Sequence, residues 1–200
     1  MMKKLLYCIV LILACGSLAA QNTEYFPKGA LDKDVSGDNF VREWYGVELT
    51  ELHESPLPPL AKEKTNLVYR FTWLRTFHNA VAIRLQVNPD GSGILFIKTT
   101  SGESGFFQKK HELIVDESKP LTAESVTRAL ETIQKADFWK MGYPTPQGGA
   151  DGAEWVFEGV KDGSYHVAHR WSPENGSMRE LGMFFLFDLA KLKVPKNEIY

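Results

Sequence analysis

The sequence predicts an α+β fold: a mainly antiparallel sheet of about six strands in two parts, a meander plus a C-terminal hairpin, with three packed helices. Three observations lead there. Apolar residues recur with period two from Leu67 to about Val115, and again from Glu154 to Trp171. Helical spacing governs three other stretches, each opened by a capping residue. Turn formers, Asn88-Pro89-Asp90-Gly91 and Lys161-Asp162-Gly163, sit between the alternating runs.

The chain starts MMKKLLYCIVLILACGSLAA. Lys3 and Lys4 precede an apolar run, Leu5 to Ala14, too short for a permanent span, which needs roughly 20 apolar residues. Residues 1–20 therefore read as an export signal, with two cleavage readings open. Ser17 to Ala20 offers small residues to an ordinary signal peptidase. Ile12-Leu13-Ala14-Cys15 resembles a lipobox, which would leave a lipid anchor on Cys15. The expected location is extracytoplasmic: periplasmic or secreted, or lipid-anchored through Cys15. Both cysteines, Cys8 and Cys15, lie in this segment, so the remainder has no disulfide and no cysteine-based zinc site. No second apolar run is long enough to span a membrane.

Residues 21–37 read as a polar, flexible leader and 38–200 as a single domain. Asp38 is expected to cap a helix on which Phe40, Val41, Trp44, Tyr45, Val47 and Leu52 fall at helical spacing and which stops before Pro56, Pro58 and Pro59. Tyr69, Phe71 and Trp73 alternate with Arg70 and Thr72 in a first strand. Val81 to Val87 forms a second and Ile94 to Thr100 a third. A three-residue loop with Gly91 left-handed sets Leu85 opposite Leu95, Ile83 opposite Ile97 and Val81 opposite Thr99. Phe106 to Val115 is expected as a fourth strand. Thr122 caps a second helix whose buried stripe is Val126, Ala129, Leu130, Ile133 and Ala136.

The hairpin from Glu154 to Trp171 admits two registers. A two-residue Asp162-Gly163 turn sets Trp155 opposite Arg170 and mixes polar with apolar groups on both faces. A three-residue loop sets Trp155 opposite His169, and Glu154 and Glu158 opposite Arg170 and His166. The second is preferred because it sorts aromatics from charges. The third helix opens at Ser177 with a capping box, is apolar nearly all round, and ends by Pro195.

Of the 200 residues, 44% are hydrophobic and 24% charged, which excludes wholesale disorder. A net charge of −2 gives no drive toward polyanions, so no nucleic-acid partner is expected.

YRFTWLRTFHNAVAIRL (Tyr69 to Leu85) and DGAEWVFEGVKDGSYHVAHRWSP (Asp151 to Pro173) resemble the signature stretches of a family of exported bacterial proteins of unknown function. FVREWYGVEL near the front fits the same pattern, and the resemblance covers roughly residues 40–192. It implies no activity, so it carries over no catalytic residue.

Four residues are the candidate ligand-binding set. Arg75 and His78 end one aromatic strand, and Arg170 and Trp171 end another. Converging strand ends would form a cleft in which arginine grips an anion or carboxylate. The cheaper reading pairs Arg170 with Glu154, and Arg75 with some nearby acid. Asp32 to Glu43 matches a calcium loop at positions 1, 3, 5, 6 and 12. Asn39 stands against it where an apolar residue belongs, and Pro27 and Gly29 leave no entering helix. His166 and His169 lie an odd number apart on a strand, so they point to opposite faces and cannot share a metal. His169 is expected on the aromatic face. Nucleophile motifs and phosphate loops are missing: Ser104 in GESGF fails G-x-S-x-G.

The leading expectation is thus a non-enzymatic envelope protein that binds a protein partner or a small ligand, with no cofactor and no metal. The alternative is an envelope hydrolase using Glu154, His166 and Arg170. An assembly subunit that pairs through an edge strand is the third reading.

Overall fold

Tyr69, Phe71 and Trp73 mark the central strand. In the computed structural model, which describes residues 24–104, 110–144, 149 and 151–200, this strand is β1 (Val68–Arg75). All eight of its residues are buried. It pairs antiparallel with β2 (Val81–Val87) on one side and β5 (Ala153–Lys161) on the other. With β3 (Gly93–Thr100), β4 (Leu113–Leu121) and β6 (Ser164–Trp171) the order is β4-β3-β2-β1-β5-β6. The meander and the hairpin are therefore one sheet rather than two parts. The seam is aromatic: Trp73 lies opposite Trp155 and Phe71 opposite Phe157.

The β2–β3 register is the expected one, with Leu85 opposite Leu95, Ile83 opposite Ile97, and Gly91 at φ +85°. The last hairpin is not. Trp155 faces Arg170, Val156 faces His169 and Glu158 faces Val167, around an Asp162-Gly163 turn with φ +52° and +79°. Those two angles are the two-residue type I′ turn that suits strand twist. Sorting polar from apolar faces misleads here because both faces of the sheet are covered. The expected pairs Glu154–Arg170 and Glu158–His166 fall with the rejected register.

One face takes Tyr69, Phe71, Trp73, Ile83, Leu85, Leu95, Trp155 and Phe157. It is covered by α2 (Ala123–Lys135) and α3 (Gly176–Met183), the latter running on as a π-helical turn, Phe184–Leu189. Thr122 caps α2 as expected, its side chain accepting the Ser125 N–H. α3 starts earlier than Ser177, behind Asn175, and the helical run ends at Ala190. A Cβ on Gly182 would stand 2.3 Å from the Trp155 ring, so only glycine lets α3 lie this close to the sheet.

The other face is covered from the N-terminal side. The first helix, α1, spans Val35–Glu51 and is capped by Asp34, whose side chain accepts the Gly37 N–H. Asp38 is therefore not the cap. Its buried carboxylate accepts the backbone N–H of Gly29 (2.8 Å) and Leu31 (3.0 Å). Tyr25, Phe26 and Leu31 are buried with Tyr45, Leu49 and Leu52, so the described part of the expected leader is packed against the sheet. β4 runs on past the expected end at Val115 to Leu121 and carries Asp116, Glu117, Lys119 and Pro120, residue types that blunt an edge strand. The expected signal at 1–20, Cys15 included, and the start of the expected fourth strand at 106–109 lie outside the described residues. No described helix is long and apolar enough to cross a membrane.

Candidate functional site

Even-numbered residues of β1 and β5 point into the N-terminal layer, and several are charged. Arg70 is fully buried and donates from Nε to Glu158 Oε2 (2.7 Å) and from Nη1 to the Ser55 carbonyl (2.8 Å). Its Nη1 also reaches Glu54 Oε2 at 3.2 Å. Glu54 holds Arg84 at 2.8 Å and Lys98 at 3.3 Å as well, and Tyr165 donates to Glu158. Burial pushes the Glu54 carboxyl up, but Arg70, Arg84 and Lys98 outweigh it and hold it below the usual range. Burial wins for Glu158 and raises it despite Arg70. Every charge here has a partner inside the protein, so the cluster fixes the sheet to its cover and offers nothing to a ligand.

Farther along the same face, His169 lies in a second buried group. The Leu31 carbonyl, 2.9 Å from Nε2, can only accept, so Nε2 carries a proton. Nδ1 sits between Tyr45 Oη (3.0 Å) and Glu154 Oε2 (3.2 Å). Burial, reinforced by the Glu154 charge, pushes the Tyr45 hydroxyl well up. His169 is thus on the N-terminal face, edge-on to the Tyr45 ring, and not on the face of Trp73 and Trp155. Both its ring nitrogens are engaged within the protein.

Glu154 and His169 form the inner wall of a cleft of about 900 Å³. Lys140, Arg170, Trp171 and Ser172 also line it, together with three further acids, Asp32, Asp137 and Glu174. Arg170 is half-buried and donates to two backbone carbonyls, Gly142 at 3.1 Å and His169 at 2.6 Å. It has no carboxylate partner among the described residues, and burial lowers its guanidinium from the ordinary value. His166 points to the opposite face, as odd spacing requires. Its Nε2 lies 3.0 Å from the Met141 carbonyl, and its ring contacts Phe138 and Trp139. The trio Glu154, His166 and Arg170 is therefore not assembled around one point.

The four expected binding residues come to one end of the sheet but separate into two environments. Arg170 and Trp171 line the cleft. Arg75 and His78 are taken up by the C-terminal segment: Glu198 Oε2 lies 3.3 Å from Arg75 Nη1 and 3.5 Å from His78 Nε2, and Tyr200 Oη lies 2.7 Å from His78 Nδ1. The Tyr200 backbone oxygen accepts from the indoles of Trp73 (3.2 Å) and Trp155 (2.8 Å). The calcium-loop reading fails on geometry, because Val35 to Glu43 is helical and Asp32, Asp34 and Asp38 accept backbone N–H groups.

Tyr45 and the Leu31 carbonyl, as partners of His169, escape sequence reading because both are distant in the chain. The Glu154–His169 contact is different: the two-residue turn would have shown both residues on one face. No protein-family model and no curated protein matches the chain, so the functional reading rests on this geometry.

Proposed function

We propose that the protein is an exported, non-enzymatic binding protein whose cleft holds a small carboxylate-bearing ligand against Arg170 and Trp171. One observation carries the reading. A half-buried guanidinium lines a cleft of ligand size, and among the described residues its hydrogen-bond partners are backbone carbonyls. A ligand carboxylate would supply the missing countercharge in a charge-assisted, bidentate contact, with the Trp171 ring as an apolar wall. Export is supported by Lys3 and Lys4 ahead of the apolar run to Ala14. The separation of Glu154, His166 and Arg170 favours binding over hydrolysis.

The test is a thermal-shift panel of citrate, glutarate and glucuronate, followed by calorimetry on wild type and Arg170→Gln. The reading expects at least one of these to raise the wild-type melting temperature, and to bind the variant at least about tenfold more weakly. Equal affinity for both proteins, or no binding by any of the three, contradicts it.

A further inference from the structure

Glu48 and Glu51 stand one turn apart at the C-terminal end of α1, so their carboxylates share a face. His111, in the stretch that leads into β4, meets them there. Its backbone N–H donates to Glu51 Oε1 (3.2 Å), and its Nδ1 lies 3.2 Å from Glu51 Oε2. One ligand atom from each of the three residues lies within 4.8 Å of the other two.

Two of the polar atoms in this group are buried with no hydrogen-bond partner among the described residues: Glu48 Oε2, on a residue only 3% exposed, and His111 Nδ1. The contact between His111 Nδ1 and Glu51 Oε2 is close but not aligned as a hydrogen bond. No lysine or arginine forms an ion pair with either glutamate among the described residues. Unsatisfied buried polar atoms are rare and call for an explanation. Lone pairs that converge from two carboxylates and an imidazole, without a cationic side chain paired to them among the described residues, have a simple one.

We propose that Glu48, Glu51 and His111 bind one divalent transition-metal ion of the zinc class. Two carboxylate oxygens and one imidazole nitrogen suit zinc, while calcium and magnesium take oxygen ligands only. Zinc bonds of roughly 2.0–2.2 Å draw ligand atoms to within about 3.5 Å of one another, a small contraction from the spacing here. Three protein ligands leave a fourth position for water or a partner's side chain. The ion would also clip the end of α1 to the stretch before β4, which are sixty residues apart in the chain.

The experiment uses the full chain, stripped with EDTA and exchanged into chelator-free buffer. Zinc chloride is titrated by calorimetry, bound metal is counted by elemental analysis, and cobalt(II) is added as a spectroscopic reporter. The expected result is one zinc per chain, cobalt d–d bands of a four-coordinate nitrogen–oxygen site, and affinity reduced about a hundredfold in both Glu48→Gln and His111→Ala. His111 lies outside helix and strand, so its variant tests the site even if Glu48→Gln disturbs α1. Absence of zinc uptake, or uptake equal in wild type and both variants, overturns the proposal. Tighter binding of calcium than of zinc overturns it as well.

Discussion

Arg70→Met is the perturbation with the most directly calculable consequence. Its guanidinium is fully buried, bridges two glutamates and donates to the Ser55 carbonyl. Without it, Glu54 keeps Arg84 and Lys98, but Glu158 retains only the Tyr165 hydroxyl. Breaking a buried ion pair on one side costs about 3–5 kcal/mol, because the surviving charge stays buried and uncompensated. For a chain of this size each kcal/mol moves the melting temperature by about 2–4 °C, so a loss near 10 °C is expected. Glu158→Leu added to Arg70→Met removes the stranded charge and should recover at least about 2 kcal/mol of that loss. Urea unfolding of the single and double variants, with unchanged slopes, measures both numbers. A cost below about 1 kcal/mol for Arg70→Met, as for an exposed pair, or strict additivity in the double variant, would refute the reasoning. It would mean that the N-terminal layer does not seal this face.

The remaining predictions concern the same two layers. Asp38→Ala strands the buried N–H of Leu31 and removes the acceptor of the Gly29 N–H, so it should cost about 1–3 kcal/mol; hydrogen exchange would show protection lost first between Glu24 and Asp34. Gly182→Ala drives a methyl into the Trp155 ring and should cost about 1–3 kcal/mol in denaturant melts, with altered tryptophan fluorescence. The third is a pH effect. Glu54 titrates lower in the folded chain than unfolded, so its stabilisation is present above the ordinary carboxylate value of about 4.5 and is lost as pH falls through the lowered folded value. Wild type should therefore exceed Glu54→Gln in stability at pH 7, and the gap should narrow as pH falls below about 4.5. A gap independent of pH would contradict the assignment.

How far the fold could be read from residues depended on whether the signal was local. The Asn88-to-Gly91 turn and its alternating flanks determine the β2–β3 register, because one left-handed glycine and one apolar face leave a single self-consistent pairing. Thr122 is equally local, a cap just ahead of a periodic stripe. The last hairpin failed through one assumption, that a face of the sheet meets water. Asp-Gly is the residue pair that a two-residue turn requires, and that local signal was overruled by a criterion valid only for half-exposed sheets. The N-terminal layer was illegible for another reason. Tyr25, Phe26 and Leu31 have no periodicity, and three nearby aspartates could each have been the cap. Arg170 and Trp171 were nameable as strand-end residues, yet nothing in the sequence says that Arg75 and His78 are claimed by Glu198 and Tyr200, more than a hundred residues away.

The binding claim turns on one guanidinium, and NMR can watch it. In a ¹⁵Nε titration with whichever carboxylate of the panel binds most tightly, the Arg170 resonance, assigned by its loss in Arg170→Gln, should shift with the calorimetric Kd. A titration that moves the resonance of Arg75 or Arg84 and leaves Arg170 in place would contradict the account.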